Sequence, residues 1–501
     1  MRKPKAVKAT AAPANPPLMP VKPAAADPLV EIIEAGGAGR TSPASKEILC
    51  TVNAPWRTRL EQGEELRRVA PFAAHANWKP AKGRPDPVAI LEAGNAGRVP
   101  DLIPIRMGRM AASPFAFLRG SAAVMDWDLA HGPSSGVNVV IGGDAHIDNF
   151  GLFGAPQGGV VIDLNDFDEV TVGPWEWDLK RLTASINVAG RANGFGRKAR
   201  RKAVMASVEG YRWSLQRLRD MPIIDVWRQH TLATRLGEKG EHLDPASAKA
   251  LKAAVKAAKA SNNHSAMVKL AAKDADGGWR IVPSSPGITA VSGKERDQVI
   301  AGLRAYLATL APERQYMLRR YHIDDVAHQV VGVGSVGMRV YLVMLMGNGD
   351  IDPLFLQIKE ATVAAAAPHV PALPDRYSHE GRRVVFGQRL LQATGDTMLG
   401  WTEIAGRSYY ARQMRNRKGS IPLETMAVTP FSFFVWAYGG LLARAHARSG
   451  DAAVISGYCG ARGAFDEALA DWAEAYGDQT AKDHAALVEA IKSGRVKAAE
   501  G

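Results

Sequence analysis

Cysteine is nearly absent: Cys50 and Cys459 are the only two in 501 residues. Two cysteines make neither a disulfide framework nor a zinc pattern, and they suit a reducing, cytoplasmic setting. Long apolar runs are missing too, and no window approaches the ~18 consecutive apolar residues of a membrane span. The basic N-terminus, MRKPKAVKATAAPANPPLMP, is broken up by proline and leads into no apolar stretch, so it does not read as a signal peptide. What the chain does have is a hydrophobic fraction of 46%, ample for a packed core, and a formal net charge of +13. A nucleic-acid binder would concentrate Lys and Arg on one face. Here the excess lies in the N-terminal tail, in Arg197 to Lys202 and in Lys249 to Lys259. These read as solvated surface with a mild attraction for anions such as nucleoside triphosphates.

Residues 1–48, rich in Ala, Pro and Lys without periodicity, read as a disordered basic arm. Residues 49–325 combine an extension carrying a helical signal at Arg57 to Arg68 with a buried helix, Phe115 to Ala130, behind the Ser113-Pro114 cap. Two acidic loops and a mostly helical stretch complete that unit. Residues 326–420 read as a small β-rich lobe. Residues 421–501 read as helices returning to the larger one: Phe431 to Ala447, Ala464 to Tyr476 and Ala481 to Ile491.

The chemistry gathers where two β-branched runs end. Val137 to Ile141 leads into Gly142-Gly143-Asp144-Ala145-His146-Ile147-Asp148-Asn149, and Val160 to Ile162 leads into Asp163-Leu164-Asn165-Asp166-Phe167-Asp168-Glu169. Strand ends delivering Asp and Asn to neighbouring loops suit Mg²⁺, which takes one or two carboxylates and leaves room for phosphates and water. An EF-hand is excluded because the second loop lacks the third acid and the glycine such a loop needs. In kinase-type phosphoryl transfer a loop Asp takes the hydroxyl proton, an Asn holds metal, and a second Asp bridges metal and phosphates. On that pattern Asp144 is the candidate general base, Asn149 and Asp163 are the candidate metal ligands, and Asp166 is a further candidate ligand. Asp166, Asp168 and Glu169 crowd together and call for a cation nearby.

A second pattern lies roughly two hundred residues later. Val330 to Leu345 reads as strand, glycine-rich turn and strand, with Gly332, Gly334, Ser335 and Gly337 in the turn. After a turn at Gly347 to Asp350, a third strand, Leu354 to Glu360, carries Lys359. Glycines let backbone amides approach a phosphate closely, and a lysine on the following strand adds a point charge. A dinucleotide fingerprint would need a helix straight after the glycines, and Met338 to Leu345 is strand-like instead. The competing reading of this stretch is an ordinary β-hairpin with Lys359 at a solvated strand end. Arg412, Arg415 and Lys418 follow a further strand and are phosphate candidates, with at least two of them expected to be surface charges.

Gly143 to Asn149 with Val161-Ile162-Asp163 resembles the G-D-x-H-x-x-N and V-I-D motifs of aminoglycoside phosphotransferases and choline kinases. From about Val52 onward the chain resembles an uncharacterised bacterial family, domain of unknown function 2252. The segments that carry this are Arg106 to Arg119, Gly143 to Gly151, Asn165 to Glu169, Gly173 to Leu182, Val330 to Gly337, Leu356 to Ala361 and Leu442 to Asp451.

The resemblance to kinases implies an α+β, protein-kinase-like, two-lobed fold, circularly permuted because the catalytic loop precedes the glycine-rich lobe. It implies ATP and Mg²⁺ as cofactors, and transfer of the γ-phosphoryl group to a hydroxyl acceptor. Asp178 would brace the catalytic loop from the following helix; a first-turn Asp favoured by the helix dipole is the competing reading. His146 reads as a neutral structural histidine, and His446 with Asp451 as ordinary helix-end residues. The partner of Lys359 stays open: Glu380 lies just ahead of the expected helix Gly381 to Gln392 and Gln388 within it, while Glu360, adjacent in sequence, points to the opposite strand face. A silent nucleotide-binding pseudokinase, a metal-dependent phosphoester hydrolase and a nucleic-acid binder are the alternatives. The kinase reading requires the carboxylates near position 150 to face Lys359 across one cleft.

Overall fold

The computed structural model describes residues 54–236, 243–284, 287–372 and 378–499; the basic arm lies outside them. Within these residues the chain is α+β. Its β-branched runs form β1 (Asn138–Ile141), β2 (Phe150–Gly154), β3 (Val160–Leu164) and β4 (Thr171–Pro174). β1 pairs antiparallel with β4, and β2 with β3. Both pairs are buried because long helices cover them. These are α3 (Trp175–Ala192), α4 (Arg197–Leu218), α7 (Val428–Ala447) and α8 (Ala464–Lys492). Trp175, Tyr211, Tyr438 and Trp472 are among the largest side chains sealed in this core.

Where one buried helix was expected from Phe115 to Ala130, two are found: α1 (Pro114–Gly120) and α2 (Ala122–Ala130), meeting at Ser121. The Ser113 hydroxyl caps α1 by accepting from the Ala116 amide at 3.1 Å, as the Ser-Pro pair predicts. At the other end of the chain, two expected helices are the single 29-residue α8.

The second sheet is six-stranded, in the order β11-β12-β10-β9-β8-β7 and antiparallel throughout. Its strands are β7 (Ile288–Ala290), β8 (His322–Gln329), β9 (Val340–Met346), β10 (Pro353–Glu360), β11 (Gly400–Ile404) and β12 (Arg407–Gln413). A two-stranded hairpin, β5 (Ala271–Lys273) with β6 (Trp279–Ile281), precedes it. The sheet therefore begins well before position 326, and the strand ahead of the glycines is β8. Val330 and Val331 lie in the loop between β8 and β9 rather than in a strand. β8 escapes a hydrophobic reading because His322, Asp324, Asp325 and His328 occupy half of its positions.

Strand alternation divides this sheet between two cores. Tyr341, Val343, Leu345, Leu354, Leu356 and Ile358 pack on α5 (Gly293–Ala308) through Val299, Leu303 and Tyr306. Leu342, Met344, Met346 and Phe355 turn the other way, against Met267 and Ile281. On β10 the side of Phe355 also carries Gln357 and Lys359, so this face becomes polar towards its end. Helix α6 (Glu380–Leu391) lies beside β11 and β12 and touches the second acidic loop, where Val170 packs against Gly387.

Candidate active site

β1 ends in a loop whose backbone is held from α3. The Asp178 carboxylate accepts the amides of Gly142 at 2.7 Å and Gly143 at 2.9 Å. Behind it, His446 Nε2 stands 3.2 Å from Asp178, and its Nδ1 lies 2.7 Å from the Tyr211 hydroxyl. The brace expected of Asp178 is thus present, and His446 belongs to it rather than to a pair with Asp451. Asp451 caps the following helix by accepting from Ala453 and Val454, and it pairs with Arg59.

Gly143 adopts φ +78°, and a Cβ there would stand 2.1 Å from the Glu169 carbonyl oxygen. Backbone strain and overlap act together, so Gly143→Ala is expected to lower unfolding stability by about 2–4 kcal/mol. Denaturant titration of the purified variant checks this; an unchanged midpoint would contradict the placement of the two loops against each other.

Asp144 is partly open, with 19% of its side chain exposed. Arg181 Nε donates to its Oδ1 at 2.8 Å, and His146 Nε2 lies 3.6 Å from its Oδ2. Burial lifts the Asp144 carboxyl to about 6 against the pull of Arg181, and nearby Asp166 adds to the rise. Burial, Arg181 and Arg119 push His146 down to about 3, so its ring is neutral. Asn149 donates from Nδ2 to the Asp144 carbonyl at 2.6 Å, and its own carbonyl accepts the Asn165 amide at 2.9 Å. That bond ties the first acidic loop to the second.

The second loop meets the six-stranded sheet. Lys359 Nζ forms an ion pair with Asp168, whose other oxygen accepts from the Tyr410 hydroxyl at 2.7 Å. Burial disfavours the Lys359 charge, but Asp166 and Asp168 overcome it and raise its pKa. Asp166 Oδ1 is buried and has no hydrogen-bond partner. Burial opposes its charge as well; Lys359 first, then Arg412, outweigh that and hold its carboxyl low. From the loop between β8 and β9, Ser335 Oγ lies 3.4 Å from the Asp168 carboxylate. Gly332 and Gly337 in that loop adopt φ +75° and +90°. Arg98 donates to the carbonyls of Gly334 and Val336 at 2.8 and 2.7 Å, and Arg109 to that of Gly332 at 2.7 Å. The N-terminal extension therefore pins the glycine loop over the acidic cluster.

Some of the residues expected to act together are linked pairwise: Asn149 to the Asp144 backbone, Asp144 to Asp166 through their charges, Asp166 to Lys359 likewise, and Ser335 to Asp168 from the glycine loop. Asp163 has other partners. It is only 1% exposed, is ion-paired with Arg444, and accepts the Leu164 and Ala393 amides at 2.9 and 3.0 Å. A carboxylate held this way has its oxygens committed to protein partners, whereas Asp166 keeps one oxygen without a hydrogen-bond partner. Among the described residues no group of three His, Cys, Asp or Glu side chains converges as a metal cage. The donors present match a cation that completes its shell with phosphate and water.

Over residues 98–490 the chain matches the model of a family described as an uncharacterized protein conserved in bacteria (DUF2252). The chain belongs to this family. Neither curated proteins nor solved structures gave a match. The DUF2252 match spans both acidic loops, the glycine loop and β10, so it includes every residue of the cluster named so far.

Sequence reasoning missed several participants in this DUF2252 protein. Arg181 sits two turns into a helix that reads as packing, and nothing local marks it as the partner of Asp144. Neither Glu380 nor Gln388 is the partner found for Lys359, and Glu360 points to the opposite strand face as expected. Glu360 takes Arg339 and Arg407 on the opposite strand face, and Glu380 takes Arg383. Gln388 donates to Gln392 at 3.0 Å. Arg383 in turn donates to the backbone carbonyl of Asp168 at 2.9 Å, so α6 supplies a cation to the loop where a carboxylate was sought. Of the three late basic residues only Arg415 is fully on the surface. Arg412 donates to Gln357 at 3.2 Å and lies over the Tyr410 ring. Lys418 is pushed down to about 7 by burial and by Arg412.

Proposed function

We propose that this protein is a phosphotransferase with a circularly permuted, protein-kinase-like arrangement, moving the γ-phosphoryl group of ATP to a hydroxyl acceptor. The observation that carries this reading is the ion pair of Lys359 with Asp168, next to the unpartnered oxygen of Asp166. It joins a lysine on β10, the strand after the glycine-loop pair β8 and β9, to an acidic loop 191 residues away. A glycine loop between the first two strands and a lysine on the third is the expected layout of a kinase nucleotide lobe. Here those strands are β8, β9 and β10, with α6 following.

The buried, unpaired Asp166 oxygen fits a divalent cation, with the Asn149 side-chain oxygen as second protein ligand, because Asn149 Nδ2 is already engaged. Such a cation would neutralise charge on the phosphates. Lys359, released from Asp168, would hold the nucleotide phosphates, with amides of Gly332 to Gly337 above them. Arg412 and Lys418 add positive charge on the same side. Asp144 would accept the hydroxyl proton; Arg181 orients it through Oδ1. A carboxylate suffices as base because the transition state is loose and positioning dominates the rate.

The test is calorimetric titration with ATP, with and without Mg²⁺. Magnesium-dependent binding is expected, weakened about 10- to 100-fold in Lys359→Met through loss of a charge-assisted contact. Equal affinity in the variant would overturn the assignment of Lys359. One observation favours a silent nucleotide binder as the second reading: the Asp144 carboxylate is already occupied by Arg181. Product formation from ATP in wild type and its loss in Asp144→Asn distinguish the two. Phosphoester cleavage without ATP would instead mark a metal-dependent hydrolase.

A further inference from the structure

A cavity of about 440 Å³ opens between α4, α7 and residues 228–236, and none of its lining residues belongs to the acidic cluster. Small-molecule sites occupy roughly 300–1,000 Å³, so its size is that of a ligand pocket. Its walls carry Arg217, Arg228, Arg235 and Arg444, and no lining residue is acidic. Two indoles, Trp213 and Trp436, form an aromatic wall with ring centroids 5.3 Å apart. Arg217 lies over Trp213 at 4.6 Å.

Arg444 gives this pocket a direction. The residue is only 5% exposed, and one of its terminal nitrogens is committed to Asp163. Its Nε and Nη1 are buried without hydrogen-bond partners. Buried guanidinium donors left unpaired are costly, and native proteins leave few of them. An oxyanion bound in the pocket would satisfy them through charge-assisted bonds. A flat apolar body on that anion would find the indole wall, since aromatic faces stack on planar groups.

We propose that this pocket binds a small anionic metabolite: a phosphate or carboxylate head group on a flat, apolar body. Arg444 receives the head group at the base of the pocket, and Arg217 and Arg228 screen it nearer the mouth. The site is separate from the cleft described above. Its link to that cleft is β3, where Ile162 donates to the Thr231 carbonyl at 3.1 Å and Asp163 holds Arg444.

Phenyl phosphate, benzoate and inorganic phosphate serve as probes in calorimetric titrations of the full chain. All titrations use the Lys359→Met background, which removes the principal phosphate-binding charge proposed for the cleft. Saturable binding of phenyl phosphate or benzoate is expected, tighter than that of inorganic phosphate, because only the first two engage the indoles. Whichever of the two binds more tightly identifies the head group. The double variant Arg217→Ala/Arg228→Ala, altered at two exposed positions that leave the Asp163 pair intact, is expected to weaken binding at least tenfold. Arg444→Gln should weaken it further if the variant folds. No saturable binding of any probe, or binding indifferent to the double variant, would overturn the proposal without bearing on the role of Lys359.

Discussion

Asp144→Asn is expected to lower kcat by about 10²–10⁴ while leaving nucleotide affinity nearly unchanged, the usual range for loss of a positioned general base. The asparagine keeps an acceptor for Arg181, so the loop stays braced and thermal stability should not fall. The pH profile carries a second signature. Burial raises the Asp144 carboxyl from its ordinary value of 3.8 to about 6, and a base must be unprotonated to work. The wild-type kcat/KM should therefore decline as pH falls through about 6, and the residual activity of the asparagine variant should lack that limb. The same shift has a sign for stability. The folded chain holds this proton more tightly than the unfolded one. The contribution of Asp144 is thus greatest below about pH 4 and is lost as pH rises through about 6. A variant that loses activity only by unfolding, with the acid limb unchanged, would remove Asp144 from the chemistry.

The second large effect separates two aspartates three residues apart. Asp163→Ala leaves the Arg444 guanidinium buried without its carboxylate, and breaking a buried pair from one side costs about 3–5 kcal/mol. Asp166→Asn keeps the shape of the side chain but removes a charge that Lys359 and Arg412 stabilise, so it should lower the midpoint, by less than Asp163→Ala because Lys359 keeps Asp168 as partner. That variant should also lose the magnesium dependence of nucleotide binding. Paired denaturation curves and magnesium titrations check both halves. Loss of magnesium dependence in a stably folded Asp163 variant, with Asp166→Asn unaffected, would return the metal role to Asp163.

These two residues also show where the sequence was legible and where it was not. The apolar runs before each acidic loop marked β1 and β3 because β-branched residues pack well on a buried, pleated surface. The polar clusters after them marked the loops. Spacing alone could not separate Asp163 from Asp166, since the distinguishing partner, Arg444, lies 281 residues away. Lys359 was readable as a strand-end cation because it closes the mainly apolar run Leu354 to Ile358 that follows a glycine-rich turn. Its partner Asp168 is 191 positions distant and had no local signal. The gap between the two expected final helices, residues 477–480, begins at Gly477. That glycine sits at a close crossing with α3, where a Cβ would stand 2.5 Å from the tip of the Asn187 side chain. A glycine chosen for contact looks, in sequence, like one chosen for a turn.

The N-terminal extension has a role that composition did not suggest. Arg98 and Arg109 bind carbonyls of the glycine loop, and Arg106 donates to the Gly120 carbonyl at 3.0 Å behind it. These contacts tie the segment to the glycine loop rather than leaving it a loose wrapping. They also fix the conformation of the loop, which on the proposed function would lower the ordering cost of nucleotide binding.

The most direct measurement uses an ATP acyl-phosphate probe, which acylates lysine amines lying against the bound phosphates, followed by peptide mass spectrometry. The account predicts modification concentrated at Lys359, with Lys418 the next candidate, and suppression of both by excess Mg-ATP. Labelling scattered over surface lysines, with Lys359 unmodified and no competition by Mg-ATP, would contradict it.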